Sequence, residues 1–191
     1  MECTETVLPG VLLWHPSPHR DDRGLFTRTF DAALGRSWGI DLGPDVQDSQ
    51  SRSRPGVIRG LHGRIGGGEA KLVRCARGAV LDVVVDARAD SPTFGQHVAV
   101  GLDDEAFTAV WIPRGMLHGF QVLSDTDADV CYRIDRPHDP SEDVAVRFDD
   151  PDLALPWRAD PRAVTSRRDA EAGSWADLCD RLQVHRNASS S

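Results

Sequence analysis

The sequence predicts one mainly β domain, closed as a sandwich or barrel, with a short helical appendage near its C-terminal end. Residues 46–148 are divided into short apolar and β-branched runs punctuated by Gly, Pro and Asp, at the spacing of many short strands. Several of these runs alternate with a period of two, as half-buried strands do. Helical signals are confined to two brief stretches. A chain of 191 residues with 40% hydrophobic and 27% charged content can bury one good core. No linker or repeat marks a boundary, so residues 1–191 are read as a single domain.

Along the chain, Phe30 to Trp38 suits a short helix. Nine strand-like runs follow: 46–50, 56–62, 71–78, 79–87, 95–102, 109–113, 118–123, 129–134 and 144–148. In 79–87, Leu81, Val83 and Val85 form one apolar face, whereas the other mixes Val80 and Val84 with Asp82 and Asp86. Pro151 to Arg162 is proline-rich and reads as a wrapping loop. Ser174 to Leu182 is the better helix, with Ser174 as N-cap and Asp177 three residues on. Asn187 to Ser191 reads as a polar, frayed tail.

The net charge of −8 argues against nucleic acid or an anionic membrane as partner. An anionic ligand would need a local arginine cluster. The apolar stretch Val7 to Trp14 is short, is broken by Pro9 and Gly10 and has no basic residue before it, so neither a signal peptide nor a membrane span is expected. Cys3, Cys75, Cys131 and Cys179 are far apart with no CxxC pair, which suits free thiols in a reducing cytoplasm.

The chain has one lysine, Lys71, and one tyrosine, Tyr132; all other cationic side chains apart from histidine are arginines. PRGMLH (Pro113 to His118) has the Pro-x-Gly-x-x-His form of the second cupin motif. The region matching the first motif offers only His62. Two histidines are too few for a metal centre, which needs three or four convergent ligands. A metal-free double-stranded β-helix, the cupin or jelly-roll barrel, is therefore expected. His118 is either a hydrogen-bonded histidine in the barrel wall or a ligand contact.

VIRGLH (57–62), AKLVRCARGAVLDVVVDAR (70–88), SPTFGQHV (91–98), WIPRGMLHGFQVLS (111–124) and FDDPDLALPW (148–157), with DDRGLF (21–26), VQDS (46–49) and SRRD (166–169), resemble in one collinear order the dTDP-4-dehydrorhamnose 3,5-epimerase family. The resemblance covers roughly residues 10–170. It implies a cofactor-free isomerase of dTDP-4-keto-6-deoxyglucose that inverts carbons beside the C4 ketone. Such chemistry needs a base, a donor at the ketone oxygen and an acid on the opposite ring face. The resemblance assigns His62 as base, Asp169 as its orienting carboxylate, Lys71 as donor to the enolate oxygen and Tyr132 as acid. Asp169 also has a second reading, as part of a helix-capping pair with Ser166. Arg23 and Arg59 match diphosphate-binding arginines, Phe26 would lie against thymine, and Gln47 would bond its edge. Ser49, His118 and His138 complete the expected substrate contacts. The Arg23 to Phe26 loop is expected to reach a neighbouring subunit's site, which implies a homodimer. Arg52, Arg54 and Arg64 read as solvated surface.

The chain also departs from the family pattern. Gly63 stands where an aromatic normally follows the base, Arg28 where a glutamate is usual and Ser49 where an asparagine is usual. Pro137 and His138 replace two tyrosines, the second of which flanks the sugar. These changes suggest a specialised epimerase of an antibiotic-sugar pathway, acting at C3 or C5 alone. A catalytically silent sugar-nucleotide-binding protein and a metal-dependent cupin oxygenase are the competing expectations.

Overall fold

The computed structural model describes residues 1–160 and 162–189, residues 184–189 through their backbone. In chain order the elements are β1 (Glu2–Glu5), β2 (Leu12–His15), β3 (His19–Asp21), β4 (Gly24–Phe26), α1 (Ala32–Ser37), β5 (Gln47–Ser53), β6 (Ile58–Arg64), β7 (Lys71–Arg77), β8 (Ala79–Asp86), β9 (His97–Asp103), β10 (Ala109–Ile112), β11 (Met116–Val122), β12 (Ala128–Ile134), β13 (Asp143–Ala145), α2 (Arg167–Ala170) and α3 (Trp175–Ser189). The strands form two antiparallel sheets, ordered β1-β2-β10-β7-β12-β5 and β13-β6-β11-β8-β9, with β3-β4 as a separate hairpin. This is the jelly-roll sandwich expected from the strand pattern.

The alternation of each strand sorts its side chains into layers. Val73 and Cys75 of β7, Val80 and Val84 of β8, Phe120 and Val122 of β11 and Val130 of β12 meet between the sheets in the main core. Each fully buried side chain of this size stabilises the fold by about 1.5–3 kcal/mol. The other face of the five-stranded sheet is buried as well: Leu61, Val83, Val85 and Leu117 pack under Trp175 and Leu178 of α3. The outer face of the six-stranded sheet is partly covered by Phe30, Leu34, Ile40 and Leu42 against Trp14, Leu72 and Trp111. Coverage on both faces explains why β8 is apolar along Leu81, Val83 and Val85, the face turned away from the main core.

The helices start where side chains can satisfy their free N–H groups. Asp31 accepts from the Ala33 and Leu34 amides at the start of α1. Ser174 and Asp177 cap α3 reciprocally, with Ser174 N and Oγ both donating to Asp177 and the Asp177 amide donating to Ser174 Oγ. Helix α3 extends through Ser189, so Asn187 to Ser189 are helical rather than frayed, and Ser190 and Ser191 lie outside the described residues. The 151–160 segment is a loop as expected, held by the Gln121 side chain, which bonds both the N–H and the carbonyl of Arg158. The hairpin β3-β4 and the strands β1 and β2 escaped the sequence reading because they are only three or four residues long.

Asp86 ends β8 fully buried. Burial pushes its carboxyl up, but hydrogen bonds from Arg88, Ser91 and Thr93 together outweigh that and hold it at about 2. The ionised carboxylate thereby pins the turn that leads to β9. All four cysteines are free. Among the described residues no helix is long and apolar enough to cross a membrane.

Candidate active site

A cavity of about 330 Å³ opens between the two sheets at one end of the sandwich, within the size range of small-molecule sites. Its walls come from opposite sheets. His62 and Arg64 of β6 and His118 of β11 line one side; Ser49 and Ser51 of β5, Lys71 of β7 and Tyr132 of β12 line the other. His62 and His118 are direct cross-strand neighbours, as are Tyr132 and Ser49.

The most chemically specific pair is His62 with Asp169. His62 Nε2 lies 2.8 Å from Asp169 Oδ1; the imidazole is 43% exposed and the carboxylate 5%. The imidazole is thus open to the cavity while the carboxylate is sealed behind it. Asp169 reaches this place because residue 164 bridges residue 57 in parallel, laying the segment before α2 along the start of β6. Its second oxygen accepts from the Gly60 amide at 3.2 Å. That approach requires glycine: Gly60 has φ +119°, and a Cβ there would lie 2.6 Å from Gly119 Cα. The capping reading of Asp169 holds at the same time, since its backbone N–H donates to Ser166 Oγ at 3.1 Å. One residue does both because the cap uses its amide and the dyad uses its carboxylate. An imidazole held by a buried carboxylate can take up a proton, the resulting cation being stabilised by its partner.

Lys71 is nearly buried, with Nζ 2.8 Å from Glu69 Oε1. Tyr132 Oη lies 3.4 Å from Ser51 Oγ. Burial pushes the Tyr132 phenol up to about 12, against which the Ser51 bond is a smaller opposing effect. The group is therefore a protonated donor throughout the neutral and mildly alkaline range. Because the folded state disfavours phenolate, this residue begins to destabilise the fold only above pH about 10, progressively up to about 12. As Tyr132 is the only tyrosine, an alkaline titration of near-ultraviolet tyrosinate absorbance reads it alone. The expected midpoint is about 12 in the native protein and about 10 after unfolding. Equal midpoints would refute the buried placement.

His118 Nε2 lies 2.7 Å from Asp82 Oδ2, both groups being buried. Asp82 is the polar member that mixes the inward face of β8. Arg59 donates to Ser53 Oγ at 2.8 Å and lines the cavity beside Ser51. His138 stands at the mouth, 55% exposed, with Nδ1 2.6 Å from Arg64 NH2.

The expectation that Arg64 is solvated surface is wrong. Its side chain is 4% exposed, donates to His138 Nδ1 and the Pro137 carbonyl, and forms an ion pair with Glu69 Oε2 at 2.9 Å without a hydrogen bond. It lies two residues after His62 on a strand, hence on the same face, which is the signal that could have found it. Glu69, in the loop just before β7, was also missed. Gly63, between His62 and Arg64, has no room for a side chain, since a Cβ would lie 2.7 Å from the Met116 carbonyl oxygen. Arg52 stays on the surface, paired with Asp129.

Three expected contacts are not brought to the cavity. Gln47 is exposed at the start of β5. Arg23 and Phe26 lie on the β3-β4 hairpin, where Arg23 pairs with Asp21 at 2.7 Å and Phe26 is 71% exposed. No group of three or more metal-ligating side chains occurs among the described residues.

Residues 5–177 match the sequence profile of the dTDP-4-dehydrorhamnose 3,5-epimerase family. The dTDP-4-dehydrorhamnose 3,5-epimerase of Pseudomonas aeruginosa is 38% identical over 182 residues, 93% of this chain and 97% of the relative. The 4-keto-6-deoxy sugar epimerase NovW of the Streptomyces spheroides novobiocin gene cluster superposes with a TM-score of 0.89 at 36% identity, over 95% of this chain and 92% of its own. The 3'-monoepimerase ChmJ of Streptomyces bikiniensis, solved with dTDP-quinovose, superposes with a TM-score of 0.85 at 34% identity, over 95% and 91%. With an imidazole–carboxylate dyad facing a phenol and an ammonium across one cavity, and with these likenesses spanning nearly the whole chain, this protein belongs to the dTDP-4-dehydrorhamnose 3,5-epimerase family of isomerases.

Proposed function

We propose that the chain epimerises dTDP-4-keto-6-deoxyglucose at C3, C5 or both, by proton removal and return beside the C4 ketone. The observation that carries this reading is the disposition of the dyad: His62 with Asp169 on one wall, Tyr132 and Lys71 on the other. A sugar ring held between the walls meets the base on one face and the acid on the other. His62 takes the proton from the carbon beside the ketone. The electron pair moves into the ring C–C bond and onto the ketone oxygen, where the Lys71 ammonium stabilises the enolate. Tyr132 then returns a proton from the opposite face, inverting the carbon, and water resets both groups. Arg59, together with Arg23 and Phe26 from a second copy, holds the diphosphate and base; Arg guanidinium forks suit phosphate oxygens. In this reading the exposed hairpin is an arm exchanged within a homodimer, and the enzyme works in the cytoplasm without a cofactor.

A narrower reading is favoured by His138. It occupies the mouth where the family usually has a sugar-flanking tyrosine, and Arg64 anchors it from below. A fixed, smaller ring there alters how the sugar turns after a first inversion, which supports a single-carbon epimerase of an antibiotic-sugar pathway. Proton NMR of the substrate in deuterated water with enzyme tests both. Deuterium is expected at the inverted carbon; at C3 or C5 alone it identifies a mono-epimerase, and at both, with doubly inverted product, the wider activity. No exchange at either carbon would sink the catalytic reading and leave a binding protein.

A further inference from the structure

Glu69 has no role in the scheme above and Arg64 only that of anchoring His138, yet both side chains are almost fully buried beside the cavity. The Glu69 carboxylate is shared: Oε1 lies 2.8 Å from Lys71 Nζ and Oε2 lies 2.9 Å from Arg64 NH2, with side-chain exposures of 9% for Glu69 and 4% for Arg64. Arg64 in turn donates to His138 Nδ1 at 2.6 Å and to the Pro137 carbonyl at 3.2 Å, while its Nε lies 3.6 Å from Asp143. A polar string therefore runs Lys71–Glu69–Arg64–His138. It starts on the six-stranded sheet, crosses by the connection between β6 and β7, and ends at the cavity mouth.

We propose that Arg64 and Glu69 act as one charge-compensating unit that positions Lys71 inside the cavity and His138 at its mouth. The proposal rests on the reading of Lys71 as enolate donor. An ammonium on a four-carbon stem has many rotamers, and a fixed carboxylate selects one. Glu69 facing Lys71 alone would cancel its field. Arg64 NH2 stands 2.9 Å from the second carboxylate oxygen, an ion pair without a hydrogen bond, so two cations share the one carboxylate and Glu69 does not fully neutralise Lys71. A guanidinium only donates, so Nδ1 of His138 must be the acceptor and carry no proton. Arg64 thus also fixes which tautomer His138 presents, with Nε2–H turned toward Asp143 at 3.7 Å.

Buried charges that lose one partner are strongly unfavourable, whereas removing both is mild. Three variants separate these cases: Glu69→Gln, Arg64→Gln and the double Arg64→Gln/Glu69→Gln. Each single variant is expected to lose stability and to lower kcat by roughly 10- to 100-fold with a smaller change in KM; the double is expected to regain the stability but not the kcat, falling no further than the worse single, the signature of a coupled pair. A second readout uses the single lysine. With 15N-lysine incorporated, one ammonium signal reports Lys71. It is expected in the parent and lost both in Glu69→Gln and in the double variant, each of which lacks the carboxylate that fixes the ammonium. If a single variant does not fold, recovery of folding in the double is the supporting result. Additive losses of kcat, a double that regains the parent kcat without either group, or a Lys71 signal unchanged in Glu69→Gln each overturn the proposal. Failure of the underlying reading looks different: Lys71→Met would keep full activity, while the ammonium signal would still follow Glu69.

Discussion

Replacing His62 by asparagine is expected to reduce kcat by about 10³-fold or more while KM stays within a few fold, and to abolish deuterium exchange at both C3 and C5. The side chain is 43% exposed on the cavity wall, so the change removes no core packing. Asparagine can still donate to Asp169, which keeps the buried carboxylate paired and the 164–169 segment on β6. What it cannot do is take a proton at neutral pH. The loss therefore falls on the chemical step and leaves substrate binding nearly intact. Both carbons should fail together because a single base serves that wall. If His62→Asn still exchanged deuterium at either carbon, another base would have to be assigned, and His118, the cross-strand neighbour paired with Asp82, would be the one to test.

Tyr132→Phe is expected to divide the reaction instead of abolishing it. The hydroxyl makes one long contact, 3.4 Å to Ser51, so the ring stays packed against the core between β7 and β5. His62 and Lys71 remain, so the enolate still forms and collapses back by the face from which it came. Deuterium should enter the sugar with retained configuration, while inversion falls by about 10²- to 10⁴-fold, the range for a positioned acid. Equal loss of exchange and inversion would instead make Tyr132 part of the binding surface. Undiminished inversion would move the acid role to another group. The variant also removes the only tyrosinate signal, which makes it the control for the alkaline titration.

The residues proposed to act on the substrate stand out in the sequence because they sit in distinctive local contexts. His62 ends VIRGLH, Lys71 opens KLVR, and Lys71 and Tyr132 have no competitors of their type. The strand runs were legible for a similar reason: a period of two is a local property that survives wherever the strand is placed. Val80, Asp82 and Val84 already showed that something polar interrupts one face of β8. That this face turns into the core, and that Asp82 meets His118 there, depends on a residue 36 positions away.

Arg64 shows the opposite case. A lone arginine after a glycine has the same local appearance whether solvated or buried, and most arginines are solvated. Its burial depends on Glu69, Asp143 and His138 converging from three separate segments. Asp169 is intermediate. Its cap with Ser166 could be read from SRRD, but its carboxylate reaches His62 over 107 positions through a bridge that no local pattern announces.

Composition and periodicity were thus enough for the β class and the short helices, and resemblance to the family's motifs for the residues expected to take or give a proton, because propensity, alternation and motif act over a few residues. Whether those residues face one another depends on chain segments far apart in number, and on how two sheets close over a shared cavity. The pairing of His62 with Asp169, the burial of Arg64 and the exposure of the Arg23–Phe26 hairpin are of that second kind. All three follow from long-range packing; in the first two, desolvation makes a charged group seek its counter-charge wherever the fold brings one within reach.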